Sequence, residues 1–275
     1  MSQSEPNTSL QNLSRRFGGI ARLYGESGVL KLSQAHVCVI GIGGVGSWVA
    51  ESLARSAIGA ITLIDLDVVS ESNINRQLLA TTDAIGRDKV LVMRDRILQI
   101  NAECRVRAID EFISRDNLAE LILPEFDYVI DCIDDFRTKA ALINYCRKQK
   151  IRILTMGGAG GQSDPLKIKQ VDLSRTKQDV LLARTRKLLR QDYGFARNLK
   201  RSFGVPCVYS DEQLVYPDGD GGVSQQRPVN DPNAENVASN ALNCAGGMGS
   251  ITHVTGTFAF VATGFVLSQL ANSDA

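Results

Sequence analysis

The stretch His36-Val37-Cys38-Val39-Ile40-Gly41-Ile42-Gly43-Gly44-Val45-Gly46-Ser47 constrains this chain more than any other. HVCVI is apolar and rich in β-branched residues, the composition of a strand buried on both faces. Four glycines stand in the next six positions, and a helical stretch, Ser47 to Ala57, follows directly. A strand that turns tightly into a helix is the opening unit of a parallel sheet with crossover connections. Glycines at that turn let the backbone approach a phosphate, and the free N–H groups and dipole of the helix start stabilise an anion. The same pattern suits a dinucleotide cofactor or ATP and does not by itself separate them. A tight turn without ligand is the plain alternative.

Strands and helices alternate downstream. Strand 61–65 is followed by helix 88–101, strand 105–109, a short helix near 115–122, strand 128–133, helix 137–150 and strand 151–157. The fold class expected is α/β: a doubly wound, Rossmann-like, mostly parallel sheet with a C-terminal extension of strands and helices. After Gly161 the rhythm changes. Residues 166–172 alternate as a strand, 180–195 read as a helix, 207–217 as a strand and about 248–270 as a final helix. Residues 1–14 are polar and read as a mobile N-terminal tail, with the core over 15–160 and the extension over 161–275. Residues 217–240, with Asp, Gly, Asn and Pro and little periodicity, read as a long mobile loop.

Global charge predicts no partner, because 31 Lys plus Arg face 30 Asp plus Glu. The six cysteines (38, 104, 132, 146, 207 and 244) lie far apart without a CxxC pair. That spacing fits reduced thiols in a cytoplasmic protein better than a disulfide framework or a zinc site. The first 14 residues lack the apolar core of a signal peptide. Residues 246–267 are apolar or small nearly throughout, and a buried or subunit-interface helix is the reading preferred over membrane association.

Local chemistry separates ATP from a nicotinamide cofactor. Asp65 ends the second strand, where an acid suits ribose hydroxyls. Asp65 to Gln77 (DLDVVSESNINRQ) then brings a second acid, Asp67, with Asn75, Arg76 and Gln77 just beyond. Hydride transfer needs no cation there, whereas splitting a triphosphate does, because charge must be held as pyrophosphate leaves. Lys89, in GRDKV, adds another cation at a helix start. Asp131 to Asp135 (DCIDD) supplies carboxylates at a strand's C-terminal end, where open α/β sheets bind ligands and where Mg²⁺ could bridge phosphates. Taken singly, Arg76 could cap a helix, Lys89 could lie on a solvated face and Asp134 could cap the next helix.

Together, GIGGVGS, DLDVVSESNINRQ, GRDKV and DCIDD resemble the adenylating enzymes related to ubiquitin activation (ThiF/MoeB-like), the superfamily that also activates bacterial sulfur-carrier proteins. The resemblance covers about residues 14–160. It implies a nucleotide-contacting set of Gly41, Gly43, Gly44, Gly46, Ser47, Asp65, Asp67, Asn75, Arg76, Gln77, Lys89 and Asp134. Arg76, Lys89 and Asp134 are expected to carry catalysis, Asp134 toward Mg²⁺. It also implies a homodimer in which Arg16 or Arg22, within RRFGGIARLYG, reaches the partner's ATP. A structural monovalent cation is a further candidate.

Between Lys167 and Arg201 eleven Lys or Arg stand against three Asp. Phosphate backbones bind such clusters by counterion release, so Arg184, Arg186, Lys187 and Arg190 are candidate nucleic-acid contacts. A solvated amphipathic helix is the competing reading. RFGGIARLYGE, TMGGAGGQSDP, GVPCVYSDEQLVYP and NCAGGMGSITHVTGTFAFVA resemble the bacterial tRNA threonylcarbamoyladenosine dehydratase branch, over about residues 15–270. That resemblance implies that ATP adenylates the free carboxylate of the threonylcarbamoyl group on adenosine 37 of tRNA. A neighbouring atom of the group then closes a five-membered ring and AMP leaves. It makes 161–275 a tRNA-binding and dimerisation extension, and it links Cys244 to a cysteine-desulfurase system as a candidate thiol relay. Three readings compete: adenylation of a ubiquitin-like sulfur carrier's C-terminus, an NAD(P)-dependent oxidoreductase, and a non-catalytic nucleotide- or tRNA-binding scaffold. The first is weakened by the lack of the CxxC zinc pairs typical of sulfur-carrier activators.

Overall fold

HVCVI lies at the centre of the sheet. In the computed structural model, which describes residues 8–226 and 248–272, this strand is β1 (His36–Ile40). It pairs in parallel with β2 (Ala60–Ile64) on one side and β4 (Tyr128–Asp131) on the other. Beyond β2 lies β3 (Arg105–Ile109), and beyond β4 lies β5 (Ile153–Met156). Two more strands, β7 (Pro206–Ser210) and the antiparallel edge strand β6 (Ile168–Asp172), complete the order β3-β2-β1-β4-β5-β7-β6. The winding direction reverses between β1 and β4, and a crevice outside the strand ends at such a reversal is where this architecture binds ligands.

Successive strand residues face opposite sides of the sheet, and this sorts the core into two layers. Val37 and Val39 pack with α1 (Thr8–Gln34), α2 (Gly46–Ala54), α3 (Lys89–Ile100) and α7 (Thr252–Ala271). Cys38 and Ile40 pack with α4 (Leu118–Leu121), α5 (Phe136–Gln149) and α6 (Val180–Asp192). By length and composition α7 could cross a membrane, yet 61% of its apolar window is buried inside the fold. Its packing against α1 and α2 explains the apolarity.

Several boundaries differ from the expectation. The chain is helical from Thr8, inside the stretch expected to be a tail, and α1 runs to Gln34 with a break at Gly25 (φ 74°, ψ 166°). Once Phe17 and Ile20 anchor a turn against the core, adding residues N-terminally costs little, because each added residue gains a backbone hydrogen bond. The strand expected over 207–217 stops at Ser210. There Glu212 turns back, and its carboxylate accepts the N–H groups of Ser163 and Asp164 at 2.9 to 3.1 Å. Tyr216–Pro217 (β8) pairs with Val223–Ser224 (β9), so the loop expected from 217 begins as a small hairpin. Cys244 and residues 227–240 lie outside the described residues.

Beneath the strand ends sits a fully buried ion pair. Lys139 Nζ donates to Asp131 Oδ2 at 2.8 Å and to Thr155 Oγ1 at 3.1 Å, and the Thr155 hydroxyl donates back to Asp131 at 2.6 Å. The other carboxylate oxygen accepts the N–H of Ile133 at 3.0 Å. Every polar atom is paired, the condition under which buried charge is tolerated. Lys139→Met leaves the Asp131 carboxylate buried without its cation. The expected loss is about 3–5 kcal/mol in chemical denaturation, partly recovered by adding Asp131→Leu.

Candidate active site

The turn between β1 and α2 is closed by backbone contact. Gly41 has φ +85°, and a Cβ there would lie 3.0 Å from the Cys132 carbonyl oxygen. A Cβ on Gly46 would fall 1.8 Å from the Gly41 carbonyl oxygen. Both positions therefore exclude side chains, and the loop folds tightly onto the start of α2. No side chain caps that helix, whose N-cap residue is Val45. Its first turn offers an anion the positive end of the dipole, while the Ser47 N–H is given to the Gly43 carbonyl at 3.1 Å.

Asp65 holds the loop from the neighbouring strand. Its carboxylate accepts the Ile42 N–H at 2.5 Å and the Asp67 N–H at 2.8 Å. Burial raises its carboxyl above the ordinary range, with Lys89 and these two hydrogen bonds opposing. Both Asp65 oxygens are thus engaged with backbone N–H groups, and Asp67 is the more exposed of the two acids in the cleft. Asp67 exposes its carboxylate and receives Lys89 Nζ at 2.7 Å, while the Lys89 side chain is buried.

Arg76 is placed by contacts from three directions. Its guanidinium donates to the Ser72 carbonyl at 2.7 Å and to Asn75 Oδ1 at 2.9 Å. Trp48 Nε1, on α2, donates to the Arg76 carbonyl at 3.1 Å. From the start of α7, the Thr252 hydroxyl donates to the Asn75 carbonyl at 2.5 Å, while Asn75 Nδ2 donates to the Ser250 carbonyl at 2.8 Å. Gln77 is buried, its Oε1 has no partner among the described residues, and its Nε2 lies 3.9 Å from where a Gly43 Cβ would stand. A buried amide oxygen left unpaired is costly and marks a place for a ligand's donor.

Asp134 stands across the cleft. Asp135, not Asp134, caps α5, its carboxylate accepting the Thr138 N–H at 2.7 Å. Asp134 is therefore free of capping. The surrounding protein raises its carboxyl above the usual range, and the Asp135 and Asp67 carboxylates raise it further against Lys139. Cys132 also lines the cleft, but burial drives its thiol far above the normal range, so it is no ready nucleophile.

These residues enclose one cleft of about 690 Å³ that runs from Asp67 past the glycine turn to Gly157–Gly160. That volume lies within the range of small-molecule sites. Gly41, Gly43, Gly44, Asp65, Asp67, Asn75, Arg76, Gln77, Lys89 and Asp134 all line it. Two expected contacts do not. Ser47 is buried and its hydroxyl accepts the Leu78 N–H at 3.2 Å, while Gly46 is covered by Gly41. Both residues shape the turn instead. Sequence reasoning missed Phe112, 62% exposed, which lines the cleft just after β3. The signal was available as an apolar residue, in EFI, directly behind a strand's C-terminal end.

Outside the cleft, Arg16 donates to the Ile100 carbonyl at 2.8 Å and so serves the end of α3, whereas Arg22 is exposed. The expected basic patch is redistributed. Arg186 is half-buried and bonds the Thr176 hydroxyl; Arg190 donates to the Ala196 carbonyl and lies over the Phe203 ring. Arg184 lies over the Phe136 ring. Aromatic neighbours and carbonyls draw these three inward, while Lys187, Arg197, Lys200 and Arg201 remain exposed.

Residues 14–263 match the ThiF family. This chain belongs to the ThiF family. Among similar proteins, the tRNA threonylcarbamoyladenosine dehydratase of Escherichia coli K12 is 50% identical to this ThiF-family chain over 256 residues, 93% of each. The Haemophilus influenzae enzyme of the same name is 48% identical over 261 residues, 95% of each. A crystal structure of the E. coli enzyme in complex with ATP matches with a TM-score of 0.81 and 47% identity over 94% of both chains.

The raised Asp134 carboxyl gives this ThiF-family site a pH signature. A carboxyl raised above its ordinary value loses its charge earlier on acidification, so nucleotide binding that uses this charge should weaken at a higher pH than an ordinary carboxylate would give. In Asp134→Asn, calorimetric titration of Mg-ATP across the acid range should show weaker binding without that limb.

Proposed function

We propose that this chain dehydrates N6-threonylcarbamoyladenosine at position 37 of tRNA in an ATP-dependent reaction through adenylation of the threonyl carboxylate. The observation that carries this reading is the convergence of Arg76, Lys89 and Asp134 on one cleft at an uncapped helix start. Similarity along nearly the whole chain to enzymes of that name supports the substrate.

In this reading the ribose hydroxyls of ATP donate to Asp67, whose charge Lys89 balances, and Phe112 offers an apolar face to the base. The phosphates lie on the glycine turn and the first turn of α2. Arg76, positioned by Asn75, and the amide N–H of Gln77 hold the departing pyrophosphate, where charge grows in the transition state. Asp134 fits Mg²⁺, which commonly takes one or two carboxylates plus substrate phosphates. When bound, the ion neutralises phosphate charge.

A carboxylate oxygen of the threonyl group attacks the α-phosphorus, and the bond to pyrophosphate breaks. The acyl carbon, now bearing a good leaving group, is attacked by an atom of the same carbamoyl group. The ring closes, and AMP departs carrying the former carboxylate oxygen. The nucleoside loses one water in total. Because the second attack is intramolecular, proximity removes much of its entropic barrier and no protein nucleophile is required. The reading includes a homodimer in which Arg22 reaches the partner's nucleotide, since Arg16 is engaged at α3. Its tRNA substrate places the reaction in the cytoplasm.

Incubation of the protein with threonylcarbamoylated tRNA, ATP and Mg²⁺, followed by nucleoside mass spectrometry, should yield a product one water lighter with equimolar AMP. Arg76→Ala should slow this at least about 100-fold while tRNA binding persists; an undiminished rate removes Arg76 from the mechanism. AMP formation with a sulfur-carrier tail but not with tRNA would transfer the activity to that substrate class.

Charge reversal at Lys187, Arg197, Lys200 and Arg201 should weaken tRNA binding and flatten its salt dependence. The slope should fall by about 0.9 for each phosphate that the protein no longer neutralises. Filter binding across a salt series reads this, and an unaltered slope rejects the surface.

A further inference from the structure

The cleft does not end at Asp134. Beside it, between Gly158–Gly160 and the first turn of α6, lies a small chamber that shares Gly158, Gly160, Leu181 and Met248 with the cleft. The chamber holds about 10 Å³, room for one water-sized group. Gln162 lines it and is only 7% exposed. Gln162 Nε2 donates to the Gly158 carbonyl at 2.9 Å. A carbonyl can only accept, so this bond fixes which end of the amide is nitrogen. The opposite atom, Oε1, is buried and has no hydrogen-bond partner among the described residues.

The surroundings hold this amide in place. Gly161 has φ +71°, and a Cβ there would lie 2.9 Å from the Val215 carbonyl oxygen. Asp179, the N-cap of α6, accepts the N–H groups of Gly158 at 2.9 Å and Leu182 at 2.8 Å. A Cβ on Gly157 would lie 2.2 Å from the Asp179 carboxylate. Both Asp179 oxygens are thereby engaged, which leaves Gln162 Oε1 as the acceptor beside the chamber without a partner among the described residues. What it lacks is a small donor.

We propose that Gln162 is a specificity-determining residue whose Oε1 accepts a hydrogen bond from the hydroxyl of the acyl substrate's side chain. The inference rests on the proposed adenylation of a threonyl carboxylate. With the nucleotide between Asp67 and the glycine turn, the acyl group extends past Asp134 toward β5, and the chamber lies there. A hydroxyl matches the space and supplies the missing donor. A chain without it leaves Oε1 unpaired, which a buried site penalises strongly.

The test uses two tRNA substrates, one with the threonyl group and one in which its hydroxyl is replaced by hydrogen. The wild-type protein should prefer the first in kcat/KM by at least about tenfold. Gln162→Met, of similar volume but without the acceptor, should bring the threonyl substrate down to the level of the other. Its ATP affinity and its rate with the hydroxyl-free substrate should be unchanged. Two results overturn the proposal: a wild-type protein that treats both substrates alike, or a Met variant that keeps the preference. Equal loss on both substrates assigns Gln162 to the shared carbamoyl group or to the fold and also overturns it. A wild-type protein inactive on both substrates, by contrast, refutes the adenylation reading itself.

Discussion

A carbonyl oxygen pressed against a glycine organises this molecule. With Gly46 unable to carry a side chain under the Gly41 carbonyl, α2 starts directly beneath the end of β1. The Cys132 carbonyl at the end of β4 presses Gly41 from the other side, so the two strands flanking the sheet's reversal share one junction. Asp65, at the end of β2, ties Ile42 into the same junction. Three strand ends and one helix start meet there, and the nucleotide-sized cleft is the space they leave.

Charge in this region divides by depth. Asp131 and Lys139 are buried, Asp65 is half-buried, and all three are engaged with protein partners, so their work is to hold the scaffold. Asp67 and Asp134 keep carboxylates open to the cleft, and Gln77 keeps an amide oxygen without a partner among the described residues. Paired buried charge supplies rigidity, and unsatisfied groups at the surface of that scaffold supply affinity. Arg76 belongs to both layers. Its carbonyl is anchored by Trp48, and its guanidinium reaches the cleft wall.

Most of the sheet could be read from the chain, because buried parallel strands form short apolar runs that local pattern reveals. The strand HVCVI, the glycine turn and the acids that follow β2 and β4 were legible for that reason. The first helix was not. Its glycines and polar residues weaken the periodic signal, and it is held by packing against α7, more than 200 residues away in the chain. The division of labour between Asp65 and Asp67, or between Asp134 and Asp135, also escaped local pattern, since adjacent acids differ only in which backbone N–H groups they meet. Arg186 and Arg190 looked like surface cations. Their neighbours Thr176 and Phe203 are set by the tertiary fold, which composition does not reveal. Gln162 gave no signal at all, because its meaning comes from the Gly158 carbonyl and from α6 beside it.

Asp179 joins two parts of the molecule that otherwise serve different ends. One carboxylate grips the amide of Gly158 in the cleft floor and the amide of Leu182 in the first turn of α6. The helix that carries Lys187 on its outer side is thus bolted to the backbone lining the reaction space. Any tilt of α6 therefore carries the Gly158 backbone with it, so the helix start and the cleft floor move as one piece.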